Sequence, residues 1–505
     1  MLTNFLKRTL MLGCIMSVHF FYAQQLVPSK KEQKAFAQID FLPIKMPGNE
    51  VAMDYAGIHY NAFLNDWSYA GLGFYGAVGG IRGGFFTLGV NLGVRHHITK
   101  SLFVDGGIHF GGGGGAAAPD GGGAFILPHL NLGYDFGKFS ATAGYSYVDF
   151  FDGGTIQSSQ VNVAVQIPLN FSHASLKNRE MRLDEATLTA SPWGLLGKRA
   201  SLLVHLNNLR VTKGSYTGRT IRLAGFEFNS YFTDNFFYFI KADGAYHGIR
   251  AGYMDILVGA GYHLSMNKNR TNLLAKFGIG AGGGGGVDTK GGFLIYPDIS
   301  LEQKVYDNLY LSINKGYLMS PDSHFVSSSY GIGMKYYVDQ GGSKSNQKAF
   351  SEGVFKGIEV IVKHDYYPGA QRDPGYSQDM HQIAMQLNFF FNKYIYGAGQ
   401  TAFANFGDAG AYAEGIVGLG VKSPMLLNNR ASFFAQVLGG AAGGGGISTG
   451  QGLIFKPSVG LNYEVFDALA LRAGVGYVKA RGGALNTHFY NFGLSYRFSL
   501  LSMKK

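Results

Sequence analysis

The chain has 505 residues, enough for several ordinary domains, yet only 15% are charged while 14% are aromatic and 76 are glycine. Glycine and aromatics without a Gly-X-Y period exclude collagen, and 46% apolar content excludes a disordered chain. The formal charge of +11 is scattered, with no Lys/Arg cluster, which excludes a nucleic-acid-binding stripe.

Residues 1–23 read as a cleaved export signal. Lys7 and Arg8 supply the positive end, Leu10 to Tyr22 the apolar stretch, and Ala23 a small residue before a cut at Gln24. A lipoprotein cut before Cys14 would leave an apolar stretch shorter than the roughly 7–15 residues such signals use. Cleavage at Ala23 leaves a mature chain without cysteine, hence without disulfides, thiol nucleophiles or cysteine metal sites. Past this point no uncharged apolar run approaches the length of a membrane helix.

The next segment reads as eight strands, near Gln38–Met46, Tyr55–Leu64, Trp67–Gly79, Phe86–Ile98, Leu102–Gly112, Phe125–Phe136, Phe139–Asp149 and Ser159–Phe171. Connections alternate between tight turns, such as Asn65-Asp66 and Gly137-Lys138, and longer loops. The pattern then repeats twice. Gly runs occur at Gly111–Gly115, Gly282–Gly286 and Gly443–Gly446, each followed by an apolar stretch ending at Pro128, Pro297 or Pro457, spaced 297 − 128 = 169 and 457 − 297 = 160 residues. The triplets Asn61, Asn229, Asn388, then Gly93, Gly261, Gly420, then Tyr147, Tyr317, Tyr477 keep that spacing within about two residues. The domain reading is a leader at 1–23, then units with their connectors at 24–198, 199–355 and 356–505.

Within each unit the period is two. The last strand places Tyr490, Phe492, Leu494, Tyr496, Phe498 and Leu500 on one face against Asn491, Gly493, Ser495, Arg497 and Ser499 on the other. A soluble β-sandwich also alternates, but its wet face carries charge; here the second face is mostly Gly, Ala, Ser and Asn. Runs of about ten alternating residues fit tilted strands crossing a bilayer. Short turns on the periplasmic side and longer loops outside then put every Gly run on the outer side.

The final strand, ending at Phe498 and Leu500, resembles the assembly signal of Gram-negative outer-membrane β-barrel proteins, and the porin-like class it is similar to covers residues 38–500. The tail Leu501 to Lys505 departs from that class, whose members commonly end at the aromatic residue. The resemblance implies an outer-membrane location, contact with its lipid, and recognition of the last strand by the barrel-assembly machinery.

The fold expected is an all-β antiparallel transmembrane barrel of about 24 strands. Small inward residues such as Gly57, Gly89, Gly93, Gly107, Gly133 and Gly144 would underfill an eight-strand cylinder, which favours one wide barrel. The long connectors Ser172–Arg199 and Gln340–Phe355 favour three small ones. The expectation is the single barrel.

Chemistry-bearing motifs are scarce. No phosphate-loop sequence follows the Gly runs, and Gly71, Gly73 and Gly76 match the dinucleotide fingerprint only by letter, inside a strand. His96 and His97 point to opposite faces and cannot share a metal. No cofactor, metal or catalytic set is expected, and the chain reads as no enzyme. Three inward registers stand out: His59, Glu227 and Gln386; Thr87, Asp255 and Glu414, toward the outer rim; and Arg95, His263 and Lys422, toward the periplasmic rim. They are the candidate lumen lining, as rim solvation or as a charged ring tuning solute passage. The outer tips, at Gly111, Gly115, Gly282, Gly286, Gly443 and Gly446, are candidates for docking a protein partner. Tyr147, Tyr317 and Tyr477 are expected in one aromatic belt. The leading functional expectation is a pore or transport channel for small solutes; the alternatives are a structural or assembly component holding a secretion or surface partner, and an outer-rim enzyme.

Overall fold

The computed structural model describes residues 27–341, 350–373, 375–428 and 430–504, so the leader assignment lies outside the described residues. Eight antiparallel strands, β1 (Ala35–Ile44), β2 (Met53–Phe63), β3 (Ser68–Ala77), β4 (Phe86–His97), β5 (Leu102–Gly114), β6 (Phe125–Asp135), β7 (Ser140–Phe150) and β8 (Gln157–Pro168), form a first closed barrel. It closes where Phe36 to Phe41 of β1 pair with Pro168 to Val163 of β8. A second set runs β9 (Gly197–Lys213), β10 (Thr220–Tyr231), β11 (Phe236–His247), β12 (Met254–Met266), β13 (Thr271–Gly283), β14 (Phe293–Tyr306), β15 (Leu309–Met319) and β16 (Val326–Gly341). Its first and last strands pair from Gly197↔Gly341 to Lys213↔Val326. The third set is β17 (Glu352–Gln371), β18 (Ser377–Phe390), β19 (Ile395–Phe406), β20 (Ala413–Lys422), β21 (Ala431–Gly443), β22 (Leu453–Phe466), β23 (Leu469–Ala480) and β24 (Asn486–Lys504). It closes from Glu352↔Lys504 to Tyr366↔Tyr490.

The single wide barrel is therefore corrected: each set of eight strands closes on itself. The volumetric argument failed because small inward residues sit beside large ones. A Cβ on Gly93 would lie 2.2 Å from the Tyr69 ring, one on Gly261 2.4 Å from Phe237, and one on Gly420 2.2 Å from Tyr396. Gly133 makes the same room for Phe103, Gly89 for His109 and Gly57 for Asp40. The lumens are filled by aromatic and charged side chains for which glycine leaves the space.

Polarity runs inside out. Asn491, Ser495 and Arg497 of β24 are buried, while Phe492 is 60% and Leu494 49% exposed on the outer wall. The same holds around the first barrel, where Leu130, Leu132 and Tyr145 are exposed and Asn131, Thr142 and Ser146 are buried. At one end the strands join through tight turns fixed by side-chain acceptors. Asn65 accepts from the amides of Trp67 and Ser68, Thr233 from those of Asn235 and Phe236, and Asn392 from those of Tyr394 and Ile395.

The connector between the first two barrels is an ordered cap at the tight-turn end. Its short helix α1 (Glu185–Ala190) is capped by Asp184, whose carboxylate accepts from the Thr187 amide at 2.8 Å. Leu183, Leu188 and Trp193 bury against Phe355, Leu501 and Met503. The tail that departs from the barrel class is thus structural: β24 runs on past Phe498, and its Ser502 and Met503 pair with both β17 and β16. Because the first barrel closes without strands from the others, residues 24–198 expressed alone are expected to fold in detergent as a heat-modifiable, protease-resistant monomer. Aggregation of that fragment would contradict the independent closure.

Candidate functional site

The three inward registers all point into lumens and all are buried. His59 faces Asp40 at 3.2 Å and Asn91 at 3.1 Å; Glu227 pairs with Lys276 at 2.7 Å; Gln386 bonds Gln436 at 2.9 Å. Thr87 meets the Tyr55 hydroxyl at 3.5 Å, Asp255 accepts from Tyr253 at 3.2 Å, and Glu414 accepts from Tyr367 at 2.6 Å. Arg95 pairs with Asp105 at 2.9 Å, His263 meets Tyr231 at 2.8 Å, and Lys422 pairs with Glu359 at 2.6 Å. Each register is divided among three separate lumens, so no common charged ring exists; this corrects the ring reading.

Sequence reasoning missed the partners. In the second barrel Lys276 also reaches Asp298 at 3.1 Å, and Lys335 pairs with Glu302 at 2.8 Å. In the third, Lys456 bridges Asp365 at 2.8 Å and Glu414 at 2.9 Å, and the Arg472 guanidinium stacks 3.4 Å from the Phe434 ring. All lie on the inward parity of their strands, which was the available signal. Buried charges in such surroundings need an opposite charge or hydrogen-bond partners, and here the lysines meet carboxylates while Arg472 donates to Asn462 and Gln436. The first lumen keeps a cavity of about 20 Å³ among Asp40, His59, Asn91, His109 and Asn162, room for about one water.

The Gly runs are not free tips. Each ends a strand (β5, β13 or β21) and presses against the next barrel. A Cβ on Gly112 would lie 2.4 Å from the Ala404 carbonyl of the third barrel. One on Gly283 would lie 2.7 Å from Gly83 of the first, and one on Gly443 2.5 Å from Gly252 of the second. The remaining named tips fold onto their own barrels: Gly111 onto Leu88, Gly115 onto Gly84, Gly282 onto Leu294, Gly286 onto Tyr216 and Gly446 onto Arg372. The contacts form a head-to-tail cycle in which backbones approach too closely for any side chain. The Gly83 amide donates to the Lys290 carbonyl at 2.6 Å, and the Gly410 amide to the Gly121 carbonyl at 3.3 Å. Beneath them Phe86, Leu88, Ala281 and Phe403 from all three barrels share one apolar cluster.

Tyr147, Tyr317 and Tyr477 occupy the same step of β7, β15 and β23, opposite Ser159, Ser328 and His488. Tyr147 and Tyr317 are exposed on the outer wall; Tyr477 is half-buried and its hydroxyl bonds Asn486. Gly71, Gly73 and Gly76 lie within β3. His96 and His97 are exposed at the end of β4. Among the described residues no cluster of three or more His, Cys, Asp or Glu is arranged to hold a metal.

One titratable group sits in the seam between the first and third barrels. Asp120, in the β5–β6 loop, accepts from the Gly115 amide at 2.7 Å. Burial, with a smaller push from Asp408, raises its carboxyl to about 7 against the pull of that amide and of Arg82. A carboxyl that binds its proton more tightly when folded favours the fold below its unfolded value near 4 and loses that contribution as pH rises toward 7. Asp120→Asn keeps the acceptor and removes the charge. It is expected to stabilise the protein at pH 8 by on the order of 1–4 kcal/mol and to leave pH 4 stability nearly unchanged. Thermal unfolding of both proteins at the two pH values checks this; parallel curves would refute it.

No known protein family matches the chain, and no curated protein does. Among solved structures, a ferric enterobactin receptor variant from Pseudomonas aeruginosa, in complex with enterobactin, aligns over 92% of this chain and 81% of its own at 9% identity, TM-score 0.28. The outer membrane protein opdK of that organism aligns over 94% and 99% at 9% identity and TM-score 0.23, and OpdQ over 93% and 98% at 8% and 0.21. At these TM-scores the likeness carries no argument about architecture or activity.

Proposed function

We propose that this chain is an integral outer-membrane protein of a Gram-negative envelope, acting as a structural or assembly component. The carrying observation is the inverted polarity: paired charges and amides fill the lumens while Leu, Val, Phe and Tyr cover the walls. That arrangement is stable only with hydrocarbon outside. Three filled barrels fused at the outer rim, with an ordered cap at the other end, make a rigid mount. Its two ends are the surfaces offered to a secretion or surface partner, and its last strand is the segment assigned to the barrel-assembly machinery.

A second reading, a gated passage for small solutes, is favoured by one observation: the polar stretch of the first lumen around Asp40, His59 and Asn91 keeps a water-sized cavity. Single-channel recording in planar bilayers separates the two. The structural reading expects no steady conductance from the folded protein; discrete openings would favour transport.

A further inference from the structure

We propose that the outer wall of the second barrel binds a phosphorylated glycolipid of the outer leaflet through three cations set in two neighbouring rows that cross four adjacent strands. Lys315 of β15 pairs with Tyr330 of β16, Tyr330 with Asn208 of β9, and Asn208 with Arg222 of β10. One step toward the loops, Tyr317, Ser328, Arg210 and Thr220 form the next row. Lys315, Arg210 and Arg222 are exposed on the lipid-facing parity. The Lys315 ammonium donates to the Ser328 hydroxyl and lies 5.5 Å over the Tyr330 ring.

The row has no counterpart in the other barrels. Two residues before the marker tyrosines stand Tyr145, Lys315 and Val475. In the third barrel the corresponding row is Val475, Tyr490, Tyr366 and His381. In the second barrel Lys315 and Arg222 thus stand where the third has Val475 and His381, beside a tyrosine that both keep. Among the described residues, ion pairs elsewhere in the second barrel are confined to its lumen, loops and inner end, as in Lys276–Glu227, Lys290–Asp322 and His324–Asp288, and none engages these three. A cation on a barrel wall is tolerated near the interface, where phosphates are the available anions. The row spans three strand spacings, about 14 Å. That is wider than one phosphate, so it fits a head group carrying two.

The inference rests on the outer-membrane reading. Sucrose-gradient fractionation tests that reading separately, since the lipid titration reports the site whichever membrane the protein occupies. Full-length protein in detergent is titrated with bisphosphorylated lipid A, dephosphorylated lipid A and phosphatidylglycerol, and retained lipid is counted by native mass spectrometry. The wild type should retain bisphosphorylated lipid A at least about ten-fold better than the R210Q/R222Q/K315Q variant and better than either other lipid. Equal retention by wild type and variant, or of the dephosphorylated lipid, overturns the site. Phosphatidylglycerol held as tightly overturns the two-phosphate assignment. These exposed residues carry no ladder bond through their side chains, so the variant should stay heat-modifiable; if it does not, Arg222→Gln alone is scored by the same criterion.

Discussion

Gly420→Val is expected to open or misfold the third barrel. The first added carbon would stand 2.2 Å from the Tyr396 ring. That ring cannot swing away, because it is buried and its hydroxyl donates to Gln436 at 3.2 Å, which in turn accepts from Arg472 at 3.1 Å. Overpacking a close-packed interior costs about 1–3 kcal/mol, and breaking the chain to a buried guanidinium adds to it, so a loss of at least about 3 kcal/mol is expected. Tyr396→Ala alone creates a cavity and costs a comparable amount. Together the two changes should cost less than their sum by at least about 1 kcal/mol, since the valine refills the space the ring vacates. Urea unfolding in detergent measures all three variants; strict additivity would show that Gly420 does not serve to seat Tyr396.

That pairing also explains what the sequence could not display. Period-two alternation located the strands of the first unit to within a few residues, and the spacing of Gly93, Gly261 and Gly420 is also that of Tyr69, Phe237 and Tyr396, the rings that fill the space beside them. Barrel closure was lost because lumen volume was judged from small residues singly. Gly93 looks like a void until β3 is laid beside β4 and Tyr69 covers it. The inward charges were legible by parity, but their partners were not: Lys456 and Asp365 lie 91 residues apart. Each Gly run meets the backbone of another barrel, and nothing local in a run announces that. The connector Ser172–Arg199 did signal separate units, and its apolar contacts with Leu501 and Met503 account for its length.

The buried charge network gives the other large effect. Lys456→Met removes a cation that is 1% exposed in its side chain and holds two carboxylates, Asp365 and Glu414. Methionine keeps the volume but leaves Glu414 buried with only hydroxyl and amide donors, from Tyr367, Tyr412, Gln382 and Gln400. Leaving a buried carboxylate without its cation costs about 3–5 kcal/mol, so the third barrel should unfold well before the wild type. Adding Glu414→Gln should recover most of that loss, because Asp365 still has Lys363 at 3.1 Å. Lys177→Met supplies the comparison: its partner Asp467 sits at a similar 2.7 Å, but both side chains are about two-thirds exposed, so the change should fall within about 0.5 kcal/mol. If Lys456→Met proved as mild as Lys177→Met, water would have to screen the lumen. A screened lumen is a wet one, and the gated-passage reading would then displace the rigid mount.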